Sequence, residues 1–552
     1  MPQTAWTSRP ARRPMNSLGR ASALLAAGTM VSRITGLLRT IVLVGVIGAN
    51  RAPAADAFNI ANQLPNDVYA IISAGVLTAV IVPQIVQAAT HADRGNAFIS
   101  KLFTLGTVVL LVTTGLAMLA APWLVWITFG GAPAAQQALA IALSYWCLPQ
   151  IFFYGLYSLV GETLNARRIF GPFTWAPVAN NVVSIAGFLA IGAMFGTPLE
   201  QVHQWTPDRI AWLGATVTGA IAVQAAILLA FWPRTRLRLR PDFRWRGVGL
   251  GNVGRMAGWT LLMAFMGLAA GIYQNYVASL ASGSGPSVAV MSYAWLVFML
   301  PYSIIVLSIG TPYFTQLAEH AHSGDLNQVR DDIVRSIRIL AFFLMGALAA
   351  VVAAVIPTSR VFTTARTDAP DTALVLLAYL PALIPLAVLF IVQRSFYAYG
   401  DTRTPFLFTL VQCALIVLTT FTAQMLVSAG ALPLGALAAT IALGQSLAST
   451  VQTVLAVWLL HRRLGGIGTA GWLLSIGRFA IAAVPSAAAG WGVFLLLGGS
   501  AGWTLASQLS GALGAAIVAS VVLIVYIGIL ALLRAPELDA LKSLVRRVVP
   551  SR

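Results

Sequence analysis

Two arginines, Arg33 and Arg39, lie inside the first long apolar segment of this 552-residue chain, where a membrane-spanning helix normally excludes charge. The segment runs from Ala21 to Gly48. Arginine at the centre of a membrane helix costs about 3 kcal/mol on insertion scales. Two such residues in one helix therefore predict a polar interior and an anionic partner within the membrane.

The composition places the rest of the chain in a membrane as well. Hydrophobic residues make up 58% of the sequence and charged residues only 9%, which is more apolar surface than a soluble core can absorb. Apolar runs of about 20 residues, each long enough to cross ~30 Å of hydrocarbon, predict about 14 transmembrane helices. We therefore expect an all-α integral membrane protein.

The positions of lysine and arginine predict its orientation. An even number of helices leaves both termini on one side, and most of the 34 basic residues fall there, including Arg94, Arg167, Arg240, Arg330 and Arg463. The positive-inside rule places that side, with both termini, in the cytoplasm. The opposite side receives only Arg51, Arg209, Arg360 and Arg366.

The net charge of +18 is then a consequence of topology, and we expect no nucleic-acid partner. The densest basic run, Arg234 to Arg246, alternates with Leu, Pro and Trp. A run of this kind beside a membrane is typical of a contact with anionic phospholipids at the cytoplasmic face.

A weak internal repeat organises the helices. Leu64-Pro65 opens a pattern that leads to Ser73-Ala74-Gly75, and Leu300-Pro301 opens the same pattern six helices later, leading to Ser308-Ile309-Gly310. An even offset preserves orientation, so we predict two six-helix halves around a central cavity, plus two C-terminal helices. The predicted divisions are a cytoplasmic tail 1–20, an N-terminal lobe 21–233, a basic linker 234–250, a C-terminal lobe 251–462, helices 13 and 14 at 463–533, and a tail 534–552.

Metal, redox and nucleotide chemistry receive no support from the sequence. Cys147 and Cys413 lie within predicted helices, and the five histidines, expected in loops, lack metal-ligand spacing. Neither lysine follows a glycine, so the chain has no phosphate-binding loop of the ATPase type. We expect no cofactor, no metal and no enzymatic activity.

Ordered motifs along nearly the whole chain carry a more specific signal. They are Ser32-Arg33-x-x-Gly36-x-x-Arg39 with Gly48, Asp56-Ala57-Phe58, Leu64-Pro65-Asn66, Gly75 and Pro83; Leu159-x-Gly161-x-x-Leu164-Asn165-Ala166 with Ala176-Pro177 and Asn180-Asn181; Ala278-Ser279-x-Ala281-Ser282-Gly283-Ser284 with Tyr293-Ala294 and Leu300-Pro301; and Phe396-Tyr397-Ala398-x-x-Asp401-Thr402-Arg403-Thr404-Pro405. Together they resemble the MurJ (MviN) family of lipid II flippases, within the multidrug/oligosaccharidyl-lipid/polysaccharide exporter superfamily.

The resemblance implies a transporter that moves the undecaprenyl-diphosphate-linked peptidoglycan precursor, lipid II, to the outer leaflet for cell-wall synthesis. Guanidinium groups suit this substrate because they bind phosphate through two hydrogen bonds at once. The implied substrate-binding residues are Arg33, Arg39, Asn62, Tyr69 and Gln274. The implied structural or gating residues are Gly36, Asp56, Pro65, Asn66, Gly75, Asn165 and Pro301.

Several of these residues have a second interpretation. Arg33 and Arg39 differ by about 240° around an ideal helix, so they share one wall only if the helix bends, and Gly36 is the place for it. Asp56 or Asp67 is a candidate partner that neutralises them, and Asp67 is alternatively a coupling-ion ligand. Two roles are open for a further set of polar side chains: they line the cavity, or they only form hydrogen bonds between neighbouring helices. These side chains are Gln274, Asn275 and Gln412. Helix capping accounts for Asp401 and Arg403.

The chain departs from the family pattern at charged positions. The family commonly carries an arginine in helix 2 where this chain has Tyr69, and an Asp-Arg pair with a nearby Glu in helix 8, where this chain has Trp295, Leu296 and Met299. The predicted cavity is therefore less charged.

Other function classes remain open from the sequence. A MATE-like cation-coupled exporter predicts intramembrane carboxylates, of which Asp67 is the clear candidate. A membrane transferase or phosphatase predicts a catalytic set that is not evident. A non-transporting scaffold that recruits cell-wall synthesis or division proteins is a third alternative. For a flippase without a nucleotide site, membrane potential is the expected drive.

Overall fold

The computed structural model describes residues 15–73, 96–243 and 254–539, and the regular structure in these ranges is helical throughout. The helices of the N-terminal half are α1 Met15–Ile47, α2 Pro53–Ile72, α3 Asn96–Leu119, α4 Ala121–Phe129, α5 Ala134–Cys147, α6 Gln150–Ala166, α7 Gly171–Phe195 and α8 Pro207–Ala230. Those that follow are α9 Gly254–Ala278, α10 Val288–Pro301, α11 Leu307–Ser323, α12 Leu326–Ala353, α13 Val355–Arg360, α14 Ala369–Tyr379, α15 Leu383–Ala398, α16 Arg403–Ser428, α17 Leu437–Leu464, α18 Thr469–Leu496 and α19 Gln508–Leu532.

Prolines divide several membrane crossings into two helices. Pro149 separates α5 from α6, and Pro381 lies in the short 3₁₀ turn between α14 and α15. Pro301 ends α10, and a π-helical turn, Tyr302–Val306, joins it to α11. Proline lacks the N–H that an α-helix needs, so these breaks follow directly from the sequence.

Thirteen helical segments of the described ranges are long and apolar enough to cross a membrane. The described part of α2 is not among them because it is long enough but too polar, and Gly75 and Arg94 lie outside the described residues. The all-α membrane fold is confirmed, while the count of about 14 helices remains a prediction. The first helix begins at Met15, earlier than the apolar segment at Ala21 suggests.

The helices pack as two groups with an attached pair. In the first group α1 packs against α7, and α7 against α8; in the second, α16 packs against α9 and α17, and α12 against α15. The last two helices, α18 and α19, pack against each other and against α12. The predicted residue boundaries of these divisions remain a prediction.

A buried carboxylate fastens the attached pair. Glu537, just beyond α19, accepts hydrogen bonds from Arg338 of α12 at 2.6 and 2.9 Å and from Arg478 of α18 at 2.7 Å. The Tyr526 hydroxyl of α19 also donates to the Phe342 carbonyl at 2.9 Å. Charge-assisted bonds of this kind, away from water, hold three helices in one arrangement.

Basic residues that the sequence assigns to opposite sides of the membrane form polar contacts at opposite ends of the bundle. At one end, here called the outer end, Arg51 lies 3.5 Å from Asp371, and Arg366 donates to the Ser500 carbonyl. At the opposite, inner end Arg463 pairs with Asp401, which also accepts from the Thr404 backbone N–H at 3.0 Å. Burial would raise the pKa of Asp401, but the hydrogen bonds from Thr404 and Arg463 hold it below its ordinary value.

The histidines correct one expectation. His320 and His322 lie in the last turn of α11, and His461 lies in the last turn of α17. The expectation that all five histidines lie in loops is therefore wrong for these three.

The orientation can be tested with single cysteines. We expect Arg366→Cys to react with an impermeant thiol reagent in intact cells and Arg403→Cys to react only after the membrane is opened, because both side chains are exposed, at opposite ends. The native Cys147 and Cys413 are buried and should give no background. Labelling of position 403 from outside would reverse the predicted topology.

Candidate substrate site

Arg39 lies in the interior of the N-terminal half, close enough to Tyr154 of α6 to interact with it electrostatically. The Tyr154 ring packs against that of Tyr69 on α2, with centroids 5.7 Å apart and planes tilted by 35°. Asn66, one turn earlier on α2, is hydrogen-bonded to Tyr154. We call Arg39, Asn66, Tyr69 and Tyr154 the N-lobe cluster.

The cluster supplies hydrogen-bond donors of the kind that bind a phosphate. A guanidinium carries five N–H donors, a tyrosine hydroxyl one and an asparagine amide two. Asn66 is exposed, and Arg39 and Tyr69 are half-buried, so these side chains reach the surface of the lobe's interior. The arrangement can replace the water around an anionic head group.

Arg33 is not part of this cluster. The helix α1 runs without interruption from Met15 to Ile47, and Arg33 is exposed on another face. Gly36 does not break the helix; a Cβ there would lie 3.6 Å from the Asn181 amide nitrogen of α7. That amide donates to the Ser32 carbonyl at 3.1 Å and to Thr35 Oγ1 at 3.0 Å. The helix is continuous at Gly36, and a bend at this glycine remains a prediction.

Neither arginine forms an ion pair with a carboxylate within the described ranges. Asp56 is instead occupied by the other half of the molecule, where it accepts from Ser282 Oγ at 2.5 Å and from the Ala289 N–H at 2.8 Å. The second bond places its carboxylate at the N-terminus of α10, where the helix dipole favours negative charge. The interpretation of Asp56 as the neutralising partner is therefore wrong.

Asp67 also has a different neighbour. It is hydrogen-bonded to Gln63, whose side-chain oxygen accepts from Asn275 of α9 at 3.3 Å. This chain of polar groups links α2 to the second half. A coupling-ion role for Asp67 remains a prediction.

The other predicted substrate residues are engaged with neighbouring helices. Asn62 accepts from Gln150 at 3.3 Å, and Gln150 also donates to Thr218 at 3.2 Å. Gln274 is buried and donates to Gln445 at 3.3 Å. Bonds between helices are thus the observed role of Gln274, as they are for Gln412, which donates to Ser449 at 3.1 Å.

The remaining structural candidates lie at helix irregularities or ends. Pro65 lies inside α2, and Pro301 precedes the π-turn between α10 and α11. Asn165 lies in the last turn of α6, where its carbonyl accepts from the Arg168 N–H at 2.9 Å. Gating by these residues remains a prediction.

The positions in α10 at which the family carries charges are occupied here by side chains that pack in an apolar core. Trp295 stacks on Phe298 with centroids 4.9 Å apart and meets Tyr379 edge-on at 5.3 Å. Leu296 and Met299 pack against the same core. Because these three side chains are apolar and fill the space between helices, none of them places a charge there that would need a partner.

Sequence reasoning missed polar residues contributed by α6 and α8. Tyr154 completes the N-lobe cluster, and Asn180 donates to Gln224 at 2.8 Å. Gln150 and Gln224 are amides inside apolar helices, a signal that could have been read. Tyr154 gives no such signal, because tyrosine is common in membrane helices near either interface.

The two halves are bonded to each other towards the outer end. In addition to the Asp56 and Gln63 contacts, Asn59 donates to the Tyr293 hydroxyl at 3.2 Å, and Thr364 donates to Glu200 at 2.7 Å. Asn50 lies 3.5 Å from Asp371. We call these contacts the outer latch. Within the described ranges, the hydrogen bonds and ion pairs found at the inner end stay within one half or join it to the C-terminal helices.

The sequence matches the family profile described as "Lipid II flippase MurJ" over residues 44–510. The chain belongs to the MurJ family. It is 24% identical over 541 residues to a probable lipid II flippase MurJ of Synechocystis sp., covering 96% of this chain and 98% of that protein. It is 26% identical over 404 residues to the probable lipid II flippase MurJ of Rickettsia prowazekii, covering 71% and 76%.

Solved structures support the same fold. A lipid II flippase MurJ in an inward closed conformation superposes with a TM-score of 0.67 at 17% identity, covering 90% of this chain and 98% of that one. An inward-facing MATE-family multidrug transporter of the MOP superfamily gives 0.63 at 15% identity, covering 79% and 94%. This MurJ-family protein therefore has the fold of that superfamily and crosses the membrane many times.

Proposed function

We propose that this protein flips lipid II from the inner to the outer leaflet of the bacterial cytoplasmic membrane, in support of peptidoglycan synthesis and cell shape. The observation that carries the proposal is Arg39, a guanidinium within a membrane helix that has no ion pair in the described ranges and lies close to Tyr154, whose ring contacts that of Tyr69. Membership of the MurJ family supports the choice of substrate.

In this proposal the N-lobe cluster receives the diphosphate. Arg39 supplies paired hydrogen bonds to phosphate oxygens, and Asn66, Tyr69 and Tyr154 supply further donors. Arg33, nearer the inner end of α1, adds positive potential along the path. The lipid tail stays in hydrocarbon, so only the head group needs this polar surface.

We infer that the described arrangement is open towards the inner end. The outer latch closes the opposite end and must break before the head group can leave outwards. Asp56 would then have to exchange its bonds to Ser282 and Ala289 for water, which makes the latch the switch between the two states.

The role of Arg39 can be tested by measuring the translocation of fluorescent lipid II in proteoliposomes. We expect Arg39→Ala to lower the rate roughly 30- to 150-fold, since a charged hydrogen-bonding contact is worth about 2–3 kcal/mol. Arg39→Lys should recover only part of the rate because it loses the paired geometry. Arg209→Ala, an arginine at the outer end bonded to the Gln204 carbonyl, is the control. A normal rate in Arg39→Ala would remove this residue from the site.

Alternating access can be tested by locking the outer latch. Glu200→Cys combined with Thr364→Cys places two thiols where a hydrogen bond of 2.7 Å now joins the halves. A short, reducible thiol crosslinker should stop translocation, and reduction should restore it. Each single-cysteine variant treated in the same way should stay active. Unimpaired transport by the crosslinked protein would mean that this interface does not open.

The drive is tested by voltage. With the interior negative, an outward-moving anion gains about 2.3 kcal/mol per charge per 100 mV, so a doubly charged diphosphate gains roughly twice that. We expect translocation to follow a potassium-diffusion potential at constant pH without sodium. A strict sodium requirement with no response to voltage would instead favour the cation-coupled alternative, with Asp67 as the ion ligand.

A further inference from the structure

We propose that Arg394 is the core of a second anion-binding cluster, in the C-terminal half, that captures the diphosphate of the lipid substrate near the inner end. This inference rests on the proposed flippase function. The cluster consists of Tyr302, Gln393, Arg394 and Tyr397, and we call it the C-lobe cluster.

Aromatic rings hold the Arg394 guanidinium in place. Its central carbon lies 5.0 Å from the Phe314 ring centroid of α11 and 5.1 Å from that of Phe390, one turn earlier on α15. Stacking on ring faces fixes a guanidinium and leaves its N–H edge free for hydrogen bonds. Arg394 is half-buried and forms no ion pair with a carboxylate within the described ranges.

Hydroxyl and amide groups surround the same point. Tyr302 and Tyr397 lie close enough to interact with the Arg394 charge. Gln393 donates to the Tyr397 hydroxyl at 2.9 Å, which leaves that hydroxyl proton available to a further acceptor. Tyr302 is the first residue of the π-turn that follows Pro301, an irregularity often found at functional sites.

Nearby carboxylates are engaged elsewhere or face the solvent. Asp332 lies 2.7 Å from His320 Nδ1, and Asp401 is paired with Arg463. Glu319 is exposed. The guanidinium therefore keeps its positive charge available for a ligand.

An open cleft of about 710 Å³ lies next to the cluster. Phe314 and Tyr397, both neighbours of Arg394, line it together with Glu319 and His322. Its lining comes from α11 and the end of α15, although α12 packs against both helices, so the cleft opens on the side away from α12. The α10 segment of the same crossing contacts α2 of the first half.

The two clusters contain the same kinds of side chain, namely one arginine, two tyrosines and one amide. They are built differently, because Arg39 lies on α1 whereas Arg394 lies on α15. Arg39 lies near the middle of its membrane span, whereas Arg394 lies one turn from the inner end of α15. This difference in depth fits successive contacts, with capture at Arg394 before binding at Arg39.

The capture role predicts a specific kinetic effect. In proteoliposomes, Arg394→Gln should raise the half-saturating lipid II concentration about tenfold and leave the maximal rate within about twofold, because capture affects binding before the rate-setting passage. Arg394→Lys should lie between the two. The matched control is Arg462→Gln, an arginine also stacked on a ring, Trp458, at 4.1 Å, but exposed at the end of α17.

Direct binding to purified full-length protein gives a second readout. Undecaprenyl diphosphate should bind Arg394→Gln about tenfold more weakly than wild type, whereas undecaprenol should not distinguish them. Equal half-saturation and equal diphosphate affinity in wild type and Arg394→Gln would overturn the inference while leaving the flippase function intact. Failure of the wild-type protein to bind or flip the lipid would overturn both. A loss in Arg394→Gln matched by Arg462→Gln would show a general surface-charge effect and reject the cluster.

Discussion

A guanidinium in the interior of a membrane protein has to be solvated by the protein itself, and the N-terminal half is arranged around this requirement at Arg39. Within the described ranges no carboxylate pairs with it; Tyr154 lies beside it, with Tyr69 and Asn66 next in contact. An ion pair there would have satisfied the charge and closed the site. Neutral hydroxyl and amide neighbours leave the positive charge available to an anion that arrives with its own lipid tail.

The acidic residue that could have cancelled this charge serves a different purpose. Asp56 is buried and bonded across the two halves at the start of α10, so it joins the halves instead of pairing with an arginine. In the proposed mechanism, binding and gating therefore use separate ionisable groups. Such separation allows the halves to part at the outer end without first removing the counter-charge of the substrate site.

Packing accounts for the positions at which this chain departs from the family pattern. Tyr69, where the family commonly has an arginine, packs against Tyr154, which in turn lies close to Arg39. Trp295 of α10 packs against Phe298 of the same helix and against Tyr379 of α14. The second half instead presents Arg394 on α15, so a chain with fewer family arginines still has a guanidinium in each half.

The sequence alone determined the fold class, the concentration of basic residues on one side and the importance of a charge at Arg39, because each follows from local composition and the cost of moving polar groups into hydrocarbon. Only the tertiary structure decided which groups surround that charge. Helix periodicity could not show that Arg33 is exposed, that Gly36 meets Asn181 or that Asp56 reaches Ala289, since each depends on which faces of distant helices meet. Tyr154 and Arg394 escaped notice for the same reason: a tyrosine or a terminal arginine is ordinary in a membrane helix until its neighbours are known.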